Sequence, residues 1–231
     1  MLIITPQEMQ EVAWEGKLVV SQVFRGETGA PPVVTIGKPE VWPVEQALES
    51  ETGKKWAPPL GEARYWLVRL ACTLREPPGR SRIREATQTL ILAPRPAEAG
   101  VENVYAKDLF PLRVGVEDKG SFTASLGPEL GFVSGASIQA GEVGATIEFR
   151  KVFPVIQAYG AGESTPYWEF KPHAAYPLNG SQFVYAVLAA RKPAEGLRAH
   201  VELTVTTQAT FGPVKFGMPE TARQAVDFSL P

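Results

Sequence analysis

The segment LRAHVELTVTTQA (residues 197–209) alternates apolar and polar side chains along its length. Its apolar positions share one parity and are Leu197, Ala199, Val201, Leu203 and Val205. Successive side chains of an extended chain point to opposite faces, so a period of two predicts a strand with one buried side. The preceding segment QFVYAVLAA is apolar at both parities, which predicts a central strand covered on both faces. The residues RKPAEG between them predict a hairpin turn.

Similar runs recur upstream. YWLVRLACTL, EVAWEGKLVVSQVF and VGATIEFRKVF each keep apolar residues at alternate positions, while ATQTLILAP and the segment around VYAKDLFPLRV are weaker strand candidates. Glycine and proline, 21 of each, separate these runs along the whole chain. This pattern predicts an all-β protein, an antiparallel β-sandwich, with a β-barrel as the runner-up.

The sequence predicts one sandwich domain over residues 1–231, with a possible N-terminal sub-region at 1–60 that carries long Pro- and Gly-rich loops. Whether residues 26–61 are ordered without a partner is left open. Two or three short helices are expected: one after the capping box at Thr5–Glu8, one in PVEQALESETG and one in PETARQAV.

The formal net charge of −2 provides no global field for nucleic acid or an anionic membrane, so a nucleic-acid partner is not expected. No apolar run approaches the roughly 18–20 residues that span a bilayer, which predicts no membrane span. The N-terminal MLIITPQEMQ lacks the basic start of a signal peptide, and the single cysteine, Cys72, rules out an internal disulfide framework. These features predict a cytoplasmic location.

Residue types that usually carry catalysis are scarce. There is no P-loop and no Gly-x-Ser-x-Gly elbow, and His173, His200 and Cys72 are too far apart in sequence to suggest a zinc site. We therefore predict no metal, no cofactor and no enzymatic activity. A hydrolase with an atypical site that uses Glu163, Ser164 and His173 is the catalytic alternative.

Arginine recurs around the turn at Pro77–Gly79. Arg80, Arg82 and Arg84 follow the turn at alternate positions, and Arg69 and Arg75 share one parity before it. If the two flanking strands pair as a hairpin, all five guanidinium groups lie on one surface. Such a surface would bind a carboxylate- or phosphate-rich partner, and a solvated sheet face is the alternative interpretation.

A second candidate is the stretch from Gly160 to Gln182, in which Tyr167, Trp168, His173 and Tyr176 could form an aromatic ligand platform. The structural alternative is a loop between strands, with Trp168 or Phe170 closing the core.

The function predicted from these features is a non-catalytic cytoplasmic accessory protein that docks on a protein partner or assembles into a complex. The alternatives are a small-ligand or glycan-binding module and a virion or shell component.

Overall fold

The structure is a computed structural model that describes residues 2–4, 12–17, 33–43, 63–76, 81–116, 122–125, 131–133, 155–172, 178–211 and 214–230. These residues form two antiparallel sheets packed together, so the predicted β-sandwich is confirmed. The predicted sub-region 1–60 is described only in part, and the single-domain prediction stays a prediction.

The first eight strands are β1 (Leu2–Ile4), β2 (Val12–Lys17), β3 (Val33–Gly37), β4 (Glu40–Pro43), β5 (Ala63–Arg75), β6 (Ser81–Arg95), β7 (Val104–Phe110) and β8 (Arg113–Val116). The remaining strands are β9 (Phe122–Ser125), β10 (Gly131–Val133), β11 (Val155–Tyr159), β12 (Tyr167–Lys171), β13 (Gly180–Arg191), β14 (Gly196–Phe211) and β15 (Val214–Leu230). Two 3-10 turns, Ala97–Ala99 and Val101–Asn103, lie between β6 and β7.

One sheet has seven strands in the order β15-β14-β6-β12-β11-β8-β9. The other has six strands, in the order β2-β3-β5-β13-β7, with β4 also paired to β5. A short parallel pair, β1 with β10, forms a third sheet.

The period-two pattern decides which side chains enter the core. Leu197, Ala199, Val201, Leu203 and Val205 of β14 are all buried between the sheets, as predicted. The main core joins them to apolar residues of β5, β6, β12 and β13. β13 is also buried on its second face, where Tyr185, Val187 and Ala189 pack with residues of β5 and β7. The prediction of a strand covered on both faces is therefore confirmed.

The predicted hairpin at RKPAEG is wrong. β13 pairs with β5 and β7 in the six-stranded sheet, whereas β14 pairs with β6 and β15 in the seven-stranded sheet. The segment between them crosses from one layer to the other. Alternation specifies which face of a strand is buried, but both a hairpin and a crossing between sheets satisfy it.

The helix predicted at PETARQAV is also wrong, because these residues belong to strand β15. Residues 223–230 alternate between exposed and less exposed side chains, the period of a strand. The helices predicted near Thr5 and in PVEQALESETG lie outside the described residues. Within the described ranges, the helical segments are the two 3-10 turns.

Two polar side chains on neighbouring strands enter the core. Gln88 of β6 lies directly opposite Trp168 of β12, and both are 0% exposed. Among the described residues, neither the Gln88 amide nor the Trp168 indole nitrogen finds a hydrogen-bond partner. A buried polar group without a partner costs about 1–3 kcal/mol of stability.

We predict that Gln88→Leu raises the free energy of unfolding by about 1 kcal/mol, because leucine has a similar size and no polar group to desolvate. Urea unfolding followed by tryptophan fluorescence measures the change. Thr89→Leu, which places a leucine on the opposite face of the same strand, is the matched control. A loss of stability in Gln88→Leu alone would contradict the absence of a partner for the amide.

Candidate functional site

The structure separates the arginines that the sequence grouped together. β5 and β6 do not pair, since they belong to different sheets. Arg69 and Arg75 lie on β5 in the six-stranded sheet, whereas Arg82 and Arg84 lie on β6 in the seven-stranded sheet. Arg80 lies outside the described residues. The strand pairing that would place the four described arginines on one surface is therefore not formed, and their predicted role in partner binding stays an untested prediction.

The surroundings of Arg69 are typical of a buried residue with a structural role. It is only 4% exposed and forms an ion pair with Glu40 of the neighbouring strand β4. Its guanidinium carbon lies 5.8 Å from the centre of the Trp42 ring and 5.7 Å from that of Phe183, both within the range of cation–π attraction. Burial alone would lower the pKa of Arg69, but the hydrogen bond and charge of Glu40, together with those of Tyr185, raise it.

The other three described arginines have partners within the chain. Arg75 pairs with Glu15 at 2.9 Å, and Arg82 lies 3.5 Å from Glu76. Arg84 donates a hydrogen bond to the side chain of Gln208 on β14. Burial raises the pKa of Glu76, although the backbone N–H of Ile83 and the charge of Arg82 oppose this effect.

The described residues of the predicted aromatic platform also lie in different surroundings. Trp168 is completely buried in the main core, so neither face of its ring is open to a ligand, and the structural alternative is correct for this residue. Tyr167 is half-buried and stacks on Tyr159, with ring centres 4.8 Å apart. His173 and Tyr176 lie outside the described residues.

The turn that begins at Gly160 joins the two sheets. Gly160 and Gly162 adopt positive φ angles of 83° and 88°, the backbone region that favours glycine. The carbonyls of Ser164 and Pro166 accept hydrogen bonds from β6, at 2.8 and 2.9 Å. The carbonyl of Glu163 accepts one from Ala106 of β7 at 2.9 Å. These backbone contacts give the turn a structural role at one side of the sandwich.

Two candidate catalytic groups are in environments that do not suit catalysis. Cys72 is completely buried, and burial raises the pKa of its thiol to about 12, so little reactive thiolate forms at neutral pH. His200 has a carboxylate at each ring nitrogen: Asp227 Oδ1 lies 2.6 Å from Nδ1, and Glu202 Oε1 lies 3.3 Å from Nε2. A triad base instead needs its second nitrogen on the nucleophile. Among the described residues, no group of three or more His, Cys, Asp or Glu is arranged to hold a metal ion.

β15 forms one end of the seven-stranded sheet. It runs over 17 residues, longer than the 3–10 residues of most strands. Among the described residues, β14 is the only strand that pairs with β15. Within the described part of the chain, the opposite side of β15 is therefore an open edge, which we call the β15 edge, and it spans Val214–Leu230. An edge strand presents backbone N–H and C=O groups to which another strand can bind.

The corresponding edge of the other sheet is partly closed. β7 lies at the end of the six-stranded sheet, but the turn after Gly160 reaches it. Ala106 donates its backbone N–H to Glu163 and accepts a hydrogen bond from the N–H of Gly162 at 2.7 Å. The ladder between β7 and β13 also shifts register at Val187/Leu188. Irregular register and covering loops are common ways to protect an edge from further pairing.

The side chains of the β15 edge alternate in exposure. Arg223, Ala225, Asp227 and Ser229 are exposed. Val226 and Phe228 point to the other face and pack against the main core, but they are only half-buried. The apolar core thus extends to the last strand of the sheet and remains partly open there.

No family model matches the chain, and no curated protein matches it. Among solved structures, it is similar to the Clostridium perfringens NetB toxin in its membrane-inserted form, with a TM-score of 0.36 and 11% identity over 86% of this chain and 95% of that one. A pore forming protein gives a TM-score of 0.34 and 11% identity over 88% and 93%, and the Clostridium perfringens delta-toxin gives 0.33 and 10% over 86% and 90%.

The predictions of a cytoplasmic accessory role, of assembly into a cytoplasmic complex and of a cytoplasmic location conflict with these toxin and pore-forming neighbours. We correct them on this ground and do not carry them further. The TM-scores are all below 0.5, so the neighbours' activities are not transferred to this chain. In the described ranges, no helix is long and apolar enough to cross a membrane.

The β15 edge is the feature that sequence reasoning missed. The signal was present, because Gln224, Val226, Phe228 and Leu230 alternate with the four exposed residues. The helix prediction at PETARQAV overlapped the start of this pattern and concealed it. A count of period-two matches over residues 222–230 would have favoured a strand.

We predict that Arg69→Met lowers the free energy of unfolding by about 2 kcal/mol, because it leaves the partly buried carboxylate of Glu40 without its cation. Arg75→Met, a change on the same strand in an exposed pair, should have a much smaller effect, because solvent screens that pair. Urea unfolding of both variants measures the difference. Equal, small effects would show that the buried pair of Arg69 and Glu40 contributes no more stability than an exposed pair.

Proposed function

We propose that this chain functions by self-association, in which copies join through the β15 edge, and that it is not an enzyme. One observation carries the proposal: a strand of 17 residues ends the seven-stranded sheet and, within the described part of the chain, pairs on one side only. Strand addition at an open edge is a common way to join two protein chains, because the backbone supplies a regular row of donors and acceptors.

Residues 220–230 of the β15 edge have a composition that supports pairing, whereas Lys215 and Pro219 lie nearer the turn. Long edges that must stay single usually carry lysine, irregular register or a covering loop. From Glu220 to Leu230 the strand contains no lysine and no proline, and its register with β14 is unbroken. The register shift of this pair lies nearer the turn, between Thr207 and Ala209. The last 11 residues of β15 therefore offer a regular template.

Two candidate catalytic groups within the described residues support the non-enzymatic part of the proposal. The buried Cys72 has a pKa of about 12, and both ring nitrogens of His200 face carboxylates. These residues serve packing and surface pairing in the fold. Recognition and assembly need neither of them.

We predict that the wild-type chain sediments as a concentration-dependent oligomer, and that Ala225→Lys weakens the association roughly fivefold or more, or ~1 kcal/mol, because lysine at an edge opposes strand addition. Sedimentation velocity over a wide range of protein concentration measures both. Ala93→Lys is the matched control, since Ala93 is an exposed alanine on β6, a strand inside the same sheet. A wild-type chain that stays monomeric throughout would refute the proposal.

The same samples can be incubated with dye-loaded vesicles of phosphatidylcholine and phosphatidylserine. Two of the structurally similar proteins are a membrane-inserted toxin and a pore forming protein, and this experiment asks whether association of the present chain extends to a membrane. Dye release that Ala225→Lys reduces in parallel with association would place the assembly at the bilayer. Association without release would leave a self-associating protein that acts away from lipid.

A further inference from the structure

We infer that two copies of this chain pair through antiparallel β15 strands in one register, with Ala225 on the two-fold axis. The inference rests on the proposed function and adds to it the partner, the strand direction and the register. Three independent features of β15 support it: its free side, its partly open apolar residues and its charges.

The first feature is geometric. A two-fold axis perpendicular to the sheet, at the outer edge of β15, brings the same strand of a second copy alongside in antiparallel orientation. Such an interface is self-complementary, because each residue on one copy meets a partner whose own equivalent meets it in return. Since β15 ends the seven-stranded sheet, this pairing joins two seven-stranded sheets into one continuous sheet.

The second feature is the half-buried apolar pair Val226 and Phe228. Both pack against the main core, yet they remain partly open because no described strand lies beyond β15. A second β15 would cover this end of the core. With Ala225 on the axis, Val226 of each copy faces Gln224 of the other. Backbone hydrogen bonds between the two β15 strands continue on both sides of these residues.

The third feature fixes the register. Arg223 and Asp227 lie on the exposed face, two positions on either side of Ala225. An antiparallel pair centred on Ala225 places Arg223 of each copy opposite Asp227 of the other. Directly opposed residues have Cβ atoms about 4.5–5.5 Å apart, so opposite charges there attract. Pairing therefore creates two equivalent ion pairs.

Both side chains are available for this contact. Arg223 is 62% exposed and Asp227 is 82% exposed, even though they already contact Glu202 and His200 of β14. A guanidinium has five N–H donors and a carboxylate has two acceptor oxygens, so each can hold a partner on both sides. Arg223 would then lie between Glu202 of its own copy and Asp227 of the second copy.

The charge arrangement allows a test by mixing. Asp227→Arg gives a chain with arginine at both positions, and Arg223→Asp gives a chain with aspartate at both. Each variant alone opposes like charges twice, so we expect its self-association to weaken about tenfold or more. An equimolar mixture opposes arginine to aspartate at both contacts, so it should restore association to near the wild-type level.

Mixing also controls for misfolding, because two damaged monomers would not repair each other. Sedimentation velocity measures the association, and circular dichroism of each variant reports its fold. No recovery in the mixture, with both variants folded, would overturn the inference.

A second measurement tests the axis itself. Ala225→Cys places two thiols opposite each other across the two-fold, within reach of a disulfide, so mild oxidation should give a covalent dimer. Ser229→Cys is the matched control, because its two thiols would lie about 27 Å apart along the strands at ~3.3–3.4 Å per residue. The native Cys72 is completely buried and does not compete.

The outcomes separate this inference from the proposed function. Self-association with equal cross-linking of both cysteine variants, or of neither, would overturn the register and leave the proposed function standing. A wild-type chain that stays monomeric would overturn both.

Discussion

The structure depends on the burial of one face of each sheet against the other. Apolar side chains at alternate positions of β5, β6, β12, β13 and β14 remove themselves from water in a single core, which is the dominant favourable term in folding. Face-to-face packing buries the apolar faces of the sheets, but it leaves the backbone N–H and C=O groups on the outer side of each end strand without a strand to pair with. The β15 edge, where Phe228 is half-buried, is the direct consequence of that arrangement.

Two of the end strands, β7 and β15, show how differently this problem is met. At β7, the turn after Gly160 donates and accepts backbone hydrogen bonds at Ala106 and also bonds to β6, so one loop ties both sheets together. At β15, no described segment has this role. We assign self-association to β15 because β7 is tied to the turn and because the end strands β2 and β9, with 6 and 4 residues, are much shorter than the 17 residues of β15.

The alternation of apolar and polar residues predicted where strands lie, but it did not predict which strands pair. The alternation from Leu197 to Val205 identified β14 and its buried face, and the apolar run of β13 identified a strand covered on both sides. The hairpin at RKPAEG was wrong, and β5 and β6, the strands that flank Pro77–Gly79, do not pair either, because both expectations assumed that consecutive strands pair. Alternation is a property of one strand, whereas pairing depends on how the two layers share the core. The β15 edge could not be predicted from local pattern for the same reason, because a strand is an edge only if the complete strand order places it at the end of a sheet.

Hydrogen–deuterium exchange at two protein concentrations tests the central claim most directly. If β15 strands pair, backbone amides within residues 220–230 should exchange more slowly at the high concentration, while those of the central strand β6 stay unchanged. Equal exchange in β15 at both concentrations, in a sample that sedimentation shows to be associated, would contradict the account and move the interface elsewhere.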